Sequence, residues 1–370
     1  MILLTILVFI IILGLLVFVH EFGHFVMAKR AGMHVQEFGF GFPPRLFGIR
    51  RGETMYSVNW IPLGGFVKIA GEEGHSDDPR AFANKSFGQR LATLLAGVTM
   101  NFILGWFLIF LGFLALGAPT DLEDNPYLAN ANIRSEEIGI IVVQGDSPAE
   151  AAGFRAGDVI LSVDGQKFTE IMPLIDYTKS RAGSPVNYEL KRGKKIINKQ
   201  VVPRTEVAEG EGPVGFAPAK IGIVTYPTLT ALKLSLFAFV SKAILIFSAF
   251  GLLIKNILTT GHVIEGLSGP VGIAVLTRDF TQLGIIYLVQ FAATLSINLG
   301  VINAFPFPAL DGGRVLFLFV EKIRGKKSIK WEQYANVIGF ALLMLLMVAI
   351  TFRDVGKFSE QFKNLFERIL

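Results

Sequence analysis

The sequence predicts a polytopic α-helical membrane protein with four membrane-spanning helices and an inserted extracytoplasmic α+β domain. Composition is the first reason: of 370 residues, 52% are hydrophobic and only 18% charged. Soluble domains carry about 25% charged residues, so the apolar excess has to face something other than water. Distribution is the second. The apolar residues gather into four runs near the ~20 residues that a helix needs to cross a bilayer. One long polar stretch, with the alternation of a small β-rich domain, lies between the second and third runs.

The first run, residues 1–19, carries no charge. A secretory leader would begin basic and end at a small-residue cleavage site. This run instead continues into His20-Glu21-Phe22-Gly23-His24 and reads as a retained span. The second run covers 91–118. The third extends from about 283 to 320, broken by Pro306, Pro308, Asp311, Gly312 and Gly313, and the fourth covers 337–352. Residues 230–258 are also apolar, but Lys233, Lys242 and Lys255 interrupt them. They read as an amphipathic segment in the interface, because a crossing there would reverse the third run and carry Asp311 away from His20 and His24. The chain then divides into 1–118, 119–227, 228–282 and 283–370.

Charge sets the orientation. Lys29, Arg30, Arg45, Arg50, Arg51, Lys68, Arg80, Lys85 and Arg90 lie between the first two spans, and Lys322, Arg324, Lys326, Lys327 and Lys330 between the last two. Basic loops stay in the cytoplasm, which puts both termini and the polar domain outside. A net charge of +5, placed beside apolar runs, suits a bilayer surface and not nucleic acid.

Within the polar domain, 138–143 and 159–163 read as strands, with Asp164-Gly165 as a turn. Residues 186–190 and 196–202 flank Arg192-Gly193-Lys194-Lys195 as a hairpin. A short helix opens at Ser147-Pro148, serine capping and proline at the first helical position. Residues 124–135 read as linker.

No cysteine is present, so a metal site must use nitrogen and oxygen donors. Two histidines four apart share one helix face about 6 Å apart, where a single Zn²⁺ can take a nitrogen from each. Glu21 beside them is placed to take a proton from a water that the metal activates. Three ionisable groups within an apolar span cost several kcal/mol unless paired or metal-bound, so a functional role is the default there. His34, His75 and His262 fall outside the spans and read as ordinary surface histidines. Asp311, the only acid followed by helix-breaking glycines within the remaining spans, is the natural third ligand. Two other readings compete: an ion or proton transporter using the same cluster, and an inactive scaffold. The first predicts charges across several spans, yet the second and fourth have none in their apolar cores.

These motifs resemble those of the site-2 protease family of intramembrane zinc metalloproteases, most closely the bacterial regulator-of-sigma-E type in a form with one PDZ domain. His20-Glu21-Phe22-Gly23-His24 is similar to the family's zinc motif, and the stretch from Asn303 to Gly313 to its second signature. The resemblance implies an enzyme of the bacterial inner membrane that cuts single-span membrane proteins, anti-sigma factors or signal-peptide-like segments among them. Zinc would be held by His20, His24 and Asp311, with Glu21 as general base and Asn303 contacting the substrate backbone or the developing oxyanion. Residues 61–68, after Gly39-Phe40-Gly41, look like the family's re-entrant β-hairpin. Residues 97–101 resemble its second-span motif, with Val98 where proline is common, and 268–272 the segment before its third span. The external domain resembles a PDZ domain, with 137–141 where a loop binding a peptide C-terminus would be.

Two physical requirements shape the expected mechanism. Water must reach a membrane-buried bond, and the broken third span supplies non-helical backbone that can line a wet cavity. The substrate helix must also unwind. Gly64, Gly65, Phe66 and Val67 are expected to offer a strand edge to which it adds as an extra strand. The external domain would act as a filter against long folded ectodomains.

Overall fold

The computed structural model describes residues 2–72, 74, 76–123, 125–193, 195–207, 211–260, 268–325 and 329–357. His75, His262, Asp124, Lys194, Lys326 and Lys327 lie outside the described residues. The chain forms two compact units. The first comprises Met1–Phe107, Ala238–Arg278 and Ala292–Leu370, and the second Leu108–Phe237 with Asp279–Phe291.

Among the described residues, five helices are long and apolar enough to cross a membrane. They are α1 (Ile2–Arg30), α2 (Phe87–Leu111), α5 (Thr228–Thr260), α7 (Ile285–Ala304) and α9 (Ile329–Lys357). Residues 228–282, expected as an amphipathic interfacial segment, hold a 33-residue continuous helix, α5, followed by α6 (Pro270–Leu283). Three lysines do not stop such a helix, because their long stems can carry the charge toward an interface. Five crossings would put the start of α1 and the end of α9 on opposite sides, so the expected orientation, with both on one side, counts α1, α2, α7 and α9 as the crossings and leaves α5 in the interface. The third apolar run is also shorter than expected, ending at Ala304; α8 (Asp311–Arg324) is a separate amphipathic helix.

Helix α1 shows why its histidines point inward. Ile12, Leu16, His20 and Ala28 are buried at four- or eight-residue spacing on one face. Leu4, Leu7, Ile11, Leu15, Phe18 and Phe22 are exposed on the other, where hydrocarbon would meet them.

Between α1 and α2 lie two long strands, β1 (Val35–Arg51) and β2 (Thr54–Ile69). Their register shows that each bends into two segments. Phe38 faces Val67 and Phe40 faces Gly65, but Phe38 also faces Tyr56, and Phe40 faces Val58. Residues 37–40 are therefore flanked on both sides, 55–58 also pair with 47–50, and 65–68 are left at an edge. Phe42, Leu46, Phe47, Ile49, Trp60 and Ile61 of this sheet are exposed, an apolar surface suited to a hairpin that dips into a membrane.

The second unit carries a six-stranded sheet ordered β3-β8-β4-β5-β6-β7. Its strands are β3 (Ala118–Asp121), β4 (Asn132–Val143), β5 (Val159–Val163), β6 (Val186–Arg192), β7 (Lys195–Val201) and β8 (Phe216–Thr225), with helices α3 (Pro148–Ala151) and α4 (Ile171–Ser180). The expected strands, the 186–202 hairpin and the Ser147 cap are present, the Ser147 hydroxyl accepting from the Glu150 amide at 3.2 Å. Two readings are corrected. Residues 125–135 are not linker: 126–130 form a 3-10 turn and β4 begins at Asn132. Residues 137–141 are not a loop but the interior of β4, where Gly139 faces Ala219 on one side and Val159 on the other. Ile140, Leu174, Val186, Tyr188 and Leu190 form the domain's core. Burial pushes the Tyr188 phenol up to about 12, and its hydroxyl pairs with that of Thr178 at 3.0 Å. The buried Asp158 carboxylate is satisfied by Arg192 at 2.6 and 2.7 Å.

Candidate metal centre

Three side chains from the two ends of the chain converge within the first unit. His20 Nε2 and His24 Nε2 lie 3.2 Å apart, and each lies 3.2 Å from Asp311 Oδ2. The donors thus mark a triangle with equal edges. A tetrahedral zinc bonded at 2.0–2.1 Å separates its ligands by about 3.3 Å, so the triangle has the size of one face of that tetrahedron. Asp311 Oδ2 is buried with no hydrogen-bond donor of its own, as an oxygen reserved for a cation would be. The donor set fits Zn²⁺: two imidazole nitrogens, one carboxylate and one direction left open.

The backbone around the trio explains its precision. Gly23 faces the Ala96 carbonyl of α2 so closely that a Cβ would overlap it, which lets α1 and α2 approach. Gly97 lies against both imidazoles, and a Cβ there would overlap the His24 ring. His24 Nδ1–H donates to the Thr93 carbonyl at 2.8 Å, leaving the Nε2 lone pair facing the triangle. His20 Nδ1 meets the Asn101 side-chain amide at 3.0 Å. As placed, that contact is made by the amide nitrogen, and Asn101 Oδ1 is buried without a donor. For His20 to ligate through Nε2, its Nδ1 must carry the proton, so the amide is turned to present Oδ1 as acceptor. Ser296 of α7 donates to the Asn101 backbone carbonyl at 2.8 Å, tying α7 to α2 at this level. Asn101→Ala is expected to weaken zinc binding about tenfold to a hundredfold; competition with a fluorescent zinc chelator measures it.

Asp311 is positioned by a tight turn and four anchors. Gly312 and Gly313 lie against the carbonyls of Ala304, Phe305 and Phe307, where no Cβ fits. Asn336 of α9 accepts from the Ala309 amide at 3.0 Å, and Gly339 lets α9 approach the Pro308 carbonyl. Arg314 pairs with Glu72 at 2.6 Å, and Arg90 grips Glu321 through two bonds at 2.8 and 2.9 Å. These ion pairs fasten α8 to the end of β2 and to α2. Beneath them Ala28, Met33, Val35, Ile69, Leu94 and Leu318 form a shared core.

Glu21 is half-buried next to β2: a Cβ added to Gly65 would lie 3.4 Å from Glu21 Cγ. The edge segment 65–68 thereby passes beside the carboxylate. Gly64 precedes it against the Phe42 ring, with Phe66 and Val67 half-buried beyond. Asn303 lies on the last turn of α7, half-buried, and among the described residues it makes no hydrogen bond to the trio. His34 stands apart from the trio, its Nδ1 hydrogen-bonded to Asp78 at 2.9 Å. Thr93, Asn101 and Asn336 were not anticipated as orienting groups. Asn101 and Asn336 show in the sequence only as polar residues in or beside an apolar run, and Thr93, which acts through its backbone carbonyl, shows nothing.

The sequence matches peptidase family M50 over residues 8–346. It is 31% identical to the zinc metalloprotease RasP of Geobacillus kaustophilus, covering 96% of this chain and 98% of the relative. It is 30% identical to the regulator of sigma-W protease RasP of Bacillus subtilis (95% and 98% covered) and 33% identical to the zinc metalloprotease RasP of Shouchella clausii (95% and 99%). Among solved structures, the PDZ domain of an SdrC-like protein from Listeria innocua is 30% identical over 22% of this chain and 92% of that one, with a TM-score of 0.20. The match spans both halves of the metal centre and nearly the whole of each relative, and the chain therefore belongs to peptidase family M50, as an intramembrane zinc metalloprotease of the site-2 type.

Proposed function

We propose that this protease hydrolyses peptide bonds in single-span membrane proteins, anti-sigma-type or signal-peptide-like segments, after the substrate adds to β2 as an extra strand. The observation that carries the reading is the placement of the free edge segment 65–68 beside Glu21, next to three donors arranged for zinc. His20, His24 and Asp311 would hold the metal, which when bound supplies a Lewis acid that polarises the scissile carbonyl and the attacking water. Glu21 takes the proton of that water on a carboxylate oxygen and delivers it to the leaving amide nitrogen. Gly64 and Gly65 keep the approach to Glu21 clear, while Phe66 and Val67 offer backbone groups to any extended sequence. Asn303, at the end of α7, is assigned the substrate carbonyl, to which its side-chain N–H donates.

The orientation rests on charge. The loop containing Lys29, Arg30, Arg80, Lys85 and Arg90, and the residues around Lys322 and Arg324, are placed on the cytoplasmic face of the bacterial inner membrane. The β domain and both ends of this chain are then extracytoplasmic, and a long folded ectodomain on a substrate would meet the domain first. A peptide C-terminus is the ligand that a PDZ-like domain would take. It cannot bind at 137–141, whose backbone is committed to neighbouring strands on both sides.

Strand addition is tested by placing a photo-crosslinking amino acid at Val67 in a Glu21→Gln background and irradiating membranes that contain a truncated single-span substrate. A crosslinked product that disappears when the crosslinker is moved to Lys167 supports the proposal. Equal yields at both positions would remove the edge from the mechanism without touching the assignment of the metal ligands.

A further inference from the structure

Helix α8 has two surfaces with no assigned role. Leu316, Phe319, Val320 and Ile323 are all exposed at three- and four-residue spacing, Ile323 to 84%, and form one apolar stripe. Beside it lies a cleft of about 390 Å³ lined by Ala83, Asn84, Lys85, Phe87, Arg90, Leu318, Glu321 and Lys322. The stripe and the cleft are joined by Phe319, whose ring packs edge-on against Phe87 at 5.2 Å.

The charge inside the cleft is unbalanced. Its one carboxylate, Glu321, is already neutralised by the two-pronged contact with Arg90. Lys322 lies over the Phe87 ring at 4.1 Å, and among the described residues neither Lys322 nor Lys85 has a carboxylate partner. Two lysines without a carboxylate partner thus line a cavity of lipid-headgroup size, with an apolar stripe leading away from it. A free phosphate would use only the first feature, and a neutral lipid only the second. We propose that this cleft binds an anionic phospholipid, its phosphate between Lys85 and Lys322 and an acyl chain along Leu316, Phe319 and Ile323. A basic pocket between helices at a membrane face has the chemistry for such headgroups, and an amphipathic helix with an apolar face lies naturally at the acyl boundary. Because α8 begins at Asp311, the lipid fastens the helix that carries a metal ligand.

The test uses the full-length protein, zinc-loaded and delipidated in neutral detergent, titrated with phosphatidylglycerol or phosphatidylcholine and read by native mass spectrometry. Phosphatidylglycerol is expected to bind at least tenfold more tightly. Lys85→Gln with Lys322→Gln should weaken it about thirtyfold, two surface charges being removed, and leave phosphatidylcholine unchanged. Lys322→Arg, which keeps the charge, should bind as the wild type does, and so should the charge-matched control Lys167→Gln with Lys199→Gln. Ile323→Ser should weaken both lipids. Equal affinity for the two lipids, an equal loss in the control, or displacement by excess inorganic phosphate would each overturn the proposal. Zinc content measured on every variant separates a lost lipid site from a lost fold.

Discussion

Glu21→Gln is expected to reduce cleavage of a truncated single-span substrate by about a thousandfold, the range in which general-base removal falls, while the zinc content stays at one per chain. The change is isosteric and leaves His20, His24 and Asp311 in place, so metal binding and proton transfer are separated by one substitution. Chelation should abolish activity by the other route, and zinc should restore it in the wild type only. Activity that survives Glu21→Gln would move the base elsewhere. Loss of zinc in the variant would mean that Glu21 supports the ligands and not the proton.

Gly97→Ala should be almost as damaging, although it adds one methyl group and removes no functional atom. The methyl would occupy the space now filled by the His20 and His24 rings. Because Gly97 sits on α2, the rings cannot yield without losing either the triangle or their bonds to Thr93 and Asn101. Zinc affinity is expected to fall about a hundredfold, with activity following the metal. The same substitution at Gly88, also on α2 but with nothing near its Cβ position, should be silent in both measurements. If the two variants behave alike, close packing at Gly97 is not what sets the ligand geometry.

Much of this centre was legible before any coordinates, for a definite reason. An ionisable residue in an apolar run is conspicuous because burial is costly, and a four-residue spacing on a helix fixes which of them share a face. His20, His24 and Asp311 were readable on those grounds, and family membership sets aside the transporter and scaffold readings. What supports them was not readable. Thr93 acts through a backbone carbonyl that leaves no trace in side-chain identity, and the amide of Asn101 is explained only by the ring it faces. The three lysines of α5 mark an interfacial segment in the sequence, but they do not reveal that it runs as one continuous helix of 33 residues. The carboxylate loop expected at 137–141 was misplaced for a different reason. Its glycine and alternating pattern equally describe a strand interior, and the deciding partner, β8, lies far along the chain.

The turn before Asp311 is held by Asn336 and Gly339, so α9 belongs to the metal centre although it contributes no ligand. That has a consequence for the chain as it is made. A ribosome delivers α1 before α9, and until α9 has entered the membrane the Ala309 amide lacks its Asn336 acceptor. A nascent chain would therefore carry the nucleophile-generating half of a protease through the insertion machinery in an unarmed form. Competence would arrive only with α9, after every ligand-bearing helix has been made.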